Sequence, residues 1–197
     1  MISNSATQLA ISDWVNHLAC VPEHEFTQQN IHDFITGHSL DLDSLKPYLR
    51  FSPEHYTRNL IFKNEVFECL ALCWEIGQSS PIHDHHGQTG WMYLATGKLF
   101  VQDYRIEERD SVCRTCRVVP TSSAELGVHG DALVDKEEEV HKVSNLGRYN
   151  QRAISLHVYS KPVSTCEIYL PEKGTYQEVS LACTSEFGRL TCELPSA

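Results

Sequence analysis

From residue 56 onward the chain is a succession of short runs rich in β-branched and aromatic residues, punctuated by Gly, Pro, Asn and Asp. "RNLIFKNEVFECLALCWEIG", "GWMYLATGKLFVQDYRIEE", "SVCRTCRVVP", "EVHKVSNL", "AISLHVYS" and "CEIYL" follow one another with no repeat and no low-complexity linker. That texture predicts many short strands in one sandwich or barrel. The first third reads helical instead. "SATQLAISDWVNHLA" places Leu9, Ile11, Trp14, Val15 and Leu18 at three- and four-residue spacings, and "TQQNIHDFITGH" carries a similar stripe ending near Gly37. In "DLDSLKPYLRF" Pro47 suits a short helix or a turn.

The expectation is a single, mainly β domain over 1–197, with a helical layer over about 1–50 and a β-barrel over about 56–197. A chain of 197 residues, 41% hydrophobic and 21% charged, can bury a sizeable core. Its formal charge of -10 argues against nucleic-acid or anionic-membrane partners, which need clustered Lys and Arg. "MISNSATQLAISDWVNHLAC" has no basic n-region, so a cytoplasmic protein with reduced thiols is expected, with many of the eight cysteines as small core residues, and a monomer is the expected state. "CRTC", Cys113 to Cys116, has redox or zinc spacing but no second ligand pair, and reads as adjacent strand or turn cysteines. "DKEEEV" reads as a solvated loop.

"SSPIHDHHGQTGW" crowds three histidines and an aspartate into four positions. If the segment enters a strand after Pro81, His83 and His85 share a face and can converge on one ion, while Asp84 and His86 point away. The wider spacing is Gly77, five residues, His83-x-His85, four residues, Gly90, six residues, Gly97. This resembles the first motif of the cupin superfamily with its glutamate replaced by Gly90. "HKVSN" supplies His141 and Asn145 for the second motif, whose upstream Pro-x-Gly element is absent. Three neutral imidazoles would leave a divalent metal its full charge and up to three open positions, which favours an anionic, bidentate substrate with a soft thiolate as a natural donor.

Together with "YTRNL", "LCWEIG" and "AISLHVYSKPVSTC", these stretches resemble cysteine dioxygenases, cupins of the jelly-roll class that oxidise the thiol of L-cysteine with O2 and Fe(2+). The resemblance covers roughly residues 45–170. It implies His83, His85 and His141 as iron ligands, Arg58 as partner of the substrate carboxylate, and Tyr56 as a pocket residue. It also implies an outer triad of Ser155, His157 and Tyr159 with the phenol facing the iron. His86, His129 and His157 are not expected as ligands. The strand pattern agrees, because Ser155, His157 and Tyr159 alternate with Ile154, Leu156 and Val158. Trp74, Ile82 and Leu72 are candidate pocket walls.

Two departures stand out. Animal members carry at position 90 a cysteine that crosslinks to the tyrosine, which Gly90 cannot do. The family also has a Ser-Pro step where this chain reads Ser160-Lys161-Pro162. That step can adopt a cis bond in the family, whereas a non-proline cis bond costs about 2.5–4 kcal/mol. The alternatives to an L-cysteine enzyme are a dioxygenase of 3-mercaptopropionate or another small thiol, and a metal-binding cupin isomerase or sensor. Relatives of the former kind usually carry glutamine where Arg58 stands.

Overall fold

A computed structural model gives the structure of residues 7–127, 129–134 and 140–191. The N-terminal layer contains strand β1 (Thr7–Leu9), helix α1 (Ile11–Ala19), helix α2 (Gln28–Gly37) and strand β2 (His38–Leu40). In α1 the buried residues are Ile11, Trp14, Val15 and Leu18, which form one apolar stripe. The Thr27 hydroxyl caps α2 by accepting the Asn30 N–H, and the helix ends at Gly37. Leu42–Tyr48 follows as a 3-10 helix with Pro47 inside it. The parallel pairing of β1 with β2 departs from the all-helical expectation for this region. Three-residue strands carry too little pattern to stand out beside helical stripes.

The barrel is built from β3 (Thr57–Lys63), β4 (Phe67–Trp74), β5 (Ile82–His83), β6 (Gly90–Thr96), β7 (Leu99–Asp110), β8 (Thr115–Leu126), β9 (Ala132–Val134) and β10 (Val140–Ser144). They are followed by β11 (Ala153–Ser160), β12 (Thr165–Leu170), β13 (Thr175–Ser180), β14 (Ser185–Glu186) and β15 (Arg189–Leu190). Strands β10, β5, β12, β13, β8 and β7 hydrogen-bond in that order into a closed ring. The second sheet runs β15-β14-β3-β4-β11-β6-β9. The expected mainly β, jelly-roll architecture with N-terminal helices is the one that forms.

The second sheet is covered on both faces, which is why β4 and β11 are buried along nearly their whole length. On one face Phe67, Cys69 and Ala71, with Trp91, Tyr93, Leu156 and Val158, pack against the helices. Trp14 meets Phe34 and Tyr93 edge-on, at centroid distances of 5.3 and 5.1 Å, and so fixes both helices to β6. The opposite face turns Leu70, Leu72, Trp74, Met92, Leu94 and Tyr159 into the barrel interior. The helices therefore close the outside of the sheet, and the site forms on its inner side.

Gly97 has φ +84°, and a Cβ there would stand 2.3 Å from the Arg152 carbonyl oxygen, so only glycine fits this close approach. The histidine segment departs from the expected strand, since only Ile82 and His83 pair regularly and His85 lies beyond β5. His86 and Gly87, with φ of 51° and 73°, turn the chain away there. Likewise "SVCRTCRVVP" is not one strand: residues 111–114 form the β7–β8 turn, which leaves Cys113 exposed and Cys116 buried in β8. Of the other cysteines, Cys69, Cys73 and Cys166 are buried, Cys20 is exposed and Cys183 is half-buried. Residues 135–139 of "DKEEEV" lie outside the described residues, as does Cys192. Among the described residues no peptide bond is cis, the one after Ser160 included. No described helix is long and apolar enough to cross a membrane.

Candidate active site

His83 and His141 are register partners on the antiparallel strands β5 and β10. His85 joins them from the turn beyond β5. The three imidazoles stand with ring centroids 4.8 to 5.2 Å apart, and one nitrogen of each lies within 4.8 Å of the others. Small side-chain adjustments would place all three nitrogens roughly 2 Å from a common centre. His83 Nδ1 is 3.1 Å from the Pro81 carbonyl oxygen, so Nδ1–H donates there and Nε2 is the nitrogen left to ligate. The donor set, three imidazoles and no carboxylate, fits a divalent transition metal.

Main-chain bonds hold the segment that carries the first two histidines. Ser80 N–H donates to the Val143 carbonyl, and the Val143 N–H returns to Ser80 Oγ at 3.0 Å. Asp84 accepts the Glu167 N–H at 2.8 Å and sends its own N–H to the Glu167 carbonyl. That pairing turns Asp84 onto β12, away from the histidines. His86 lies 3.5 Å from Glu178 and His129 between Tyr93 and the Ala95 carbonyl, so neither joins the cluster. Asn145, buried beneath the motif, donates to the Trp74, Glu75 and Gln151 carbonyls and serves as a clamp between strands.

On the inner face of β11, Ser155, His157 and Tyr159 form a hydrogen-bonded row. Ser155 Oγ lies 2.9 Å from His157 Nε2, and His157 Nδ1 lies 3.1 Å from the Tyr159 hydroxyl. Trp74 adds a fourth member that the sequence does not announce, because its Nε1–H donates to Ser155 Oγ at 3.0 Å. An indole only donates, so Ser155 Oγ accepts from Trp74. With Ser155 donating to Nε2, His157 would be the Nδ1–H tautomer and donate to the Tyr159 oxygen. The Tyr159 ring stands 5.0 Å from that of His85. Gly90 is the register partner of Tyr159 on β6, so the substitution at position 90 falls beside the phenol.

A cavity of about 140 Å³ is lined by His83, His85, Tyr159, Arg58 and Tyr56. Its apolar wall consists of Val163, Cys166, Ile168, Val179 and Leu181. The expected wall residues Trp74, Leu72 and Ile82 do not line it. Trp74 stacks behind Tyr56 at 4.5 Å, Leu72 belongs to the core around it, and Ile82 packs with Tyr169 and Tyr176. Alternation in "TCEIYL" puts Cys166 and Ile168 on one face and could have found that pair. Val179 and Leu181, two apart around Ser180, share a face in the same way. Burial pushes the Cys166 thiol up to about 11, so it is protonated near neutrality.

Arg58 projects from β3 into the far end of the cavity, with its side chain 12% exposed. Burial opposes its charge, but Tyr159, Tyr56 and Glu68 outweigh that and hold its pKa above the usual arginine value. Its Nε has no hydrogen-bond partner, and its Nη2 approaches Glu68 only to 3.8 Å. Burial likewise raises the Tyr56 phenol. The cavity thus has a three-histidine end and a cationic end with unused donors.

The chain matches the family described as cysteine dioxygenase type I over residues 4–171. It is 27% identical over 165 residues to human cysteine dioxygenase type 1, covering 83% of this chain and 80% of that protein. Against the rat protein of the same name it is 30% identical over 142 residues, covering 72% and 68%. Similar solved structures include a Klebsiella pneumoniae protein with a double-stranded β-helix domain, at TM-score 0.46 and 16% identity over 70% of this chain and 88% of that one. Another is TT1209 from Thermus thermophilus, at TM-score 0.45 and 23% identity over 59% and 93%.

Proposed function

The chain belongs to the cysteine dioxygenase type I family, and on that premise we propose that it is an iron(II)-dependent enzyme converting L-cysteine to cysteine sulfinate with O2. One observation carries the reading: His83, His85 and Arg58 line the same small cavity, which supports a reading with the thiolate at the histidines and the carboxylate at Arg58. His83, His85 and His141 would hold the iron. When bound, iron brings thiolate and O2 together and supplies the electron transfer that activates O2. The overall change is balanced, since the thiolate and O2 combine so that both oxygen atoms end on sulfur as R–SO2⁻.

The protein's own residues do the rest. Arg58 takes the substrate carboxylate through its planar fork of N–H donors, and Tyr56 backs that position from its stack on Trp74. Tyr159 donates its phenolic proton as a hydrogen bond to the reacting atoms. Ser155 and His157, with Trp74 behind them, hold that phenol in one orientation. Val163, Ile168, Val179 and Leu181 keep the cavity apolar and limit water at the reacting sulfur. With Gly90 beside it, Tyr159 works uncrosslinked, and the purified chain should show its unmodified mass.

The decisive assay compares O2 uptake and sulfinate formation on L-cysteine and 3-mercaptopropionate. L-cysteine should be preferred, because relatives that act on 3-mercaptopropionate usually carry glutamine where Arg58 stands. A strong preference for 3-mercaptopropionate would overturn the substrate assignment. An absence of O2 uptake with any thiol would overturn the enzyme class and revive a non-oxygenase cupin.

A further inference from the structure

Arg58 and Glu68 stand on the neighbouring strands β3 and β4, both buried, with side chains 12% and 5% exposed. At 3.8 Å the Arg58 Nη2 and Glu68 Oε1 are beyond hydrogen-bond reach. Glu68 instead accepts the backbone N–H of Val163 at 3.2 Å, while Arg58 Nε is left without an acceptor. The pair is therefore coupled through charge and shares no proton. A buried carboxylate in that position is costly and needs a reason.

Its location supplies one. Arg58 and Glu68 both line an open chamber of about 960 Å³, which shares Tyr56, Arg58, Val163 and Leu181 with the inner cavity. Arg58 alone of the pair reaches the inner cavity, so it has Glu68 on one side and the reacting site on the other. We propose that Glu68 sets the selectivity of this anchor: its carboxylate competes with that of the substrate for Arg58, so that binding of a carboxylate-bearing thiol is coupled to proton uptake at Glu68. The inference rests on the reading of Arg58 as the substrate's carboxylate anchor.

The charges around Glu68 fix the direction of the effect. Arg58 and Lys63 face it from β3, Tyr159 is its register partner on β11, and Cys69 adjoins it on β4. Cys183 and Glu186 face the same chamber from the segment after β13, with His55 at its edge. Burial raises the Glu68 carboxyl, and the Val163 N–H, Arg58 and Lys63 only partly offset this. Ionised, Glu68 neutralises Arg58 and repels a second carboxylate; protonated, it leaves the full cationic charge to the substrate. Affinity for the substrate carboxylate therefore rises as pH falls through the Glu68 titration.

E68Q tests this, because glutamine keeps the oxygen that accepts the Val163 N–H and removes only the charge. In the iron-loaded enzyme, E68Q should lower KM for L-cysteine about tenfold near pH 8, with the change falling chiefly on KM. The ratio of wild-type to variant KM, in which the titration of cysteine itself cancels, should fall toward one as pH is lowered. A KM that is unchanged or higher in E68Q, or a ratio constant with pH, overturns the proposal. If E68Q does not fold, the wild type still decides. Its KM for L-cysteine divided by its Ki for 2-aminoethanethiol, which lacks the carboxylate, should fall with falling pH, and a constant quotient overturns the proposal. R58Q separates the two readings. If it leaves KM for L-cysteine unchanged, the anchor reading fails and this inference with it. If it raises KM while E68Q has no effect, the role of Glu68 alone fails.

Discussion

The two ends of the cavity are built in opposite ways. The histidine end is made of imidazoles on segments pinned by backbone hydrogen bonds, with Ser80 tied to Val143 and Asp84 to Glu167. The arginine end is made of full charges held without hydrogen bonds to each other, and it leaves a buried N–H unused. The first end offers donor nitrogens to a cation, and the second offers N–H donors to an anion. With a metal held by the histidines, one small molecule could bind it through a thiolate and meet Arg58 through a carboxylate.

The largest effect should come from removing a ligand. H141A leaves two imidazoles, and iron measured after loading should fall to a trace; retained stoichiometric iron would break the assignment of the histidine end. R58Q should keep its iron but lose charge-assisted bonds of about 2 kcal/mol, raising KM for L-cysteine roughly thirtyfold. Loss of iron in R58Q would mean that the two ends are not independent. Y159F keeps the ring and removes the phenolic proton, so kcat should fall roughly tenfold or more while iron loading is retained.

Smaller changes should follow behind the phenol. S155A strands the buried Trp74 Nε1–H and should cost about 1–3 kcal/mol in denaturant unfolding, with a reduced kcat and iron retained. The smallest effect concerns the thiols. Burial pushes Cys69 up to about 12 and Cys73 up to about 11, so alkylation of the native protein should reach exposed Cys20 and Cys113 first. Early modification of Cys166 would instead show that the cavity opens widely.

Legibility from sequence divides along the same line. The barrel, the two helical stripes and the alternation of Ser155, His157 and Tyr159 are period-2 and period-3.6 patterns, and they survive folding unchanged. The histidine pair was legible through its spacing, although the strand expected to carry it is only two residues long. Tertiary partners were not legible. Nothing local in "LCWEIG" says that Trp74 turns its N–H to Ser155, and nothing in "VFECL" says that Glu68 is buried beside Arg58. Val179 and Leu181 complete the wall from a segment whose facing partners the local sequence does not name.

The most direct test of a three-histidine iron facing a cysteine-sized cavity is turnover of the iron-loaded protein on L-cysteine under 18O2. Cysteine sulfinate carrying two labelled oxygen atoms, with one O2 consumed per product, is the expected result. Unlabelled sulfinate, or cystine as the sole product, would contradict the account.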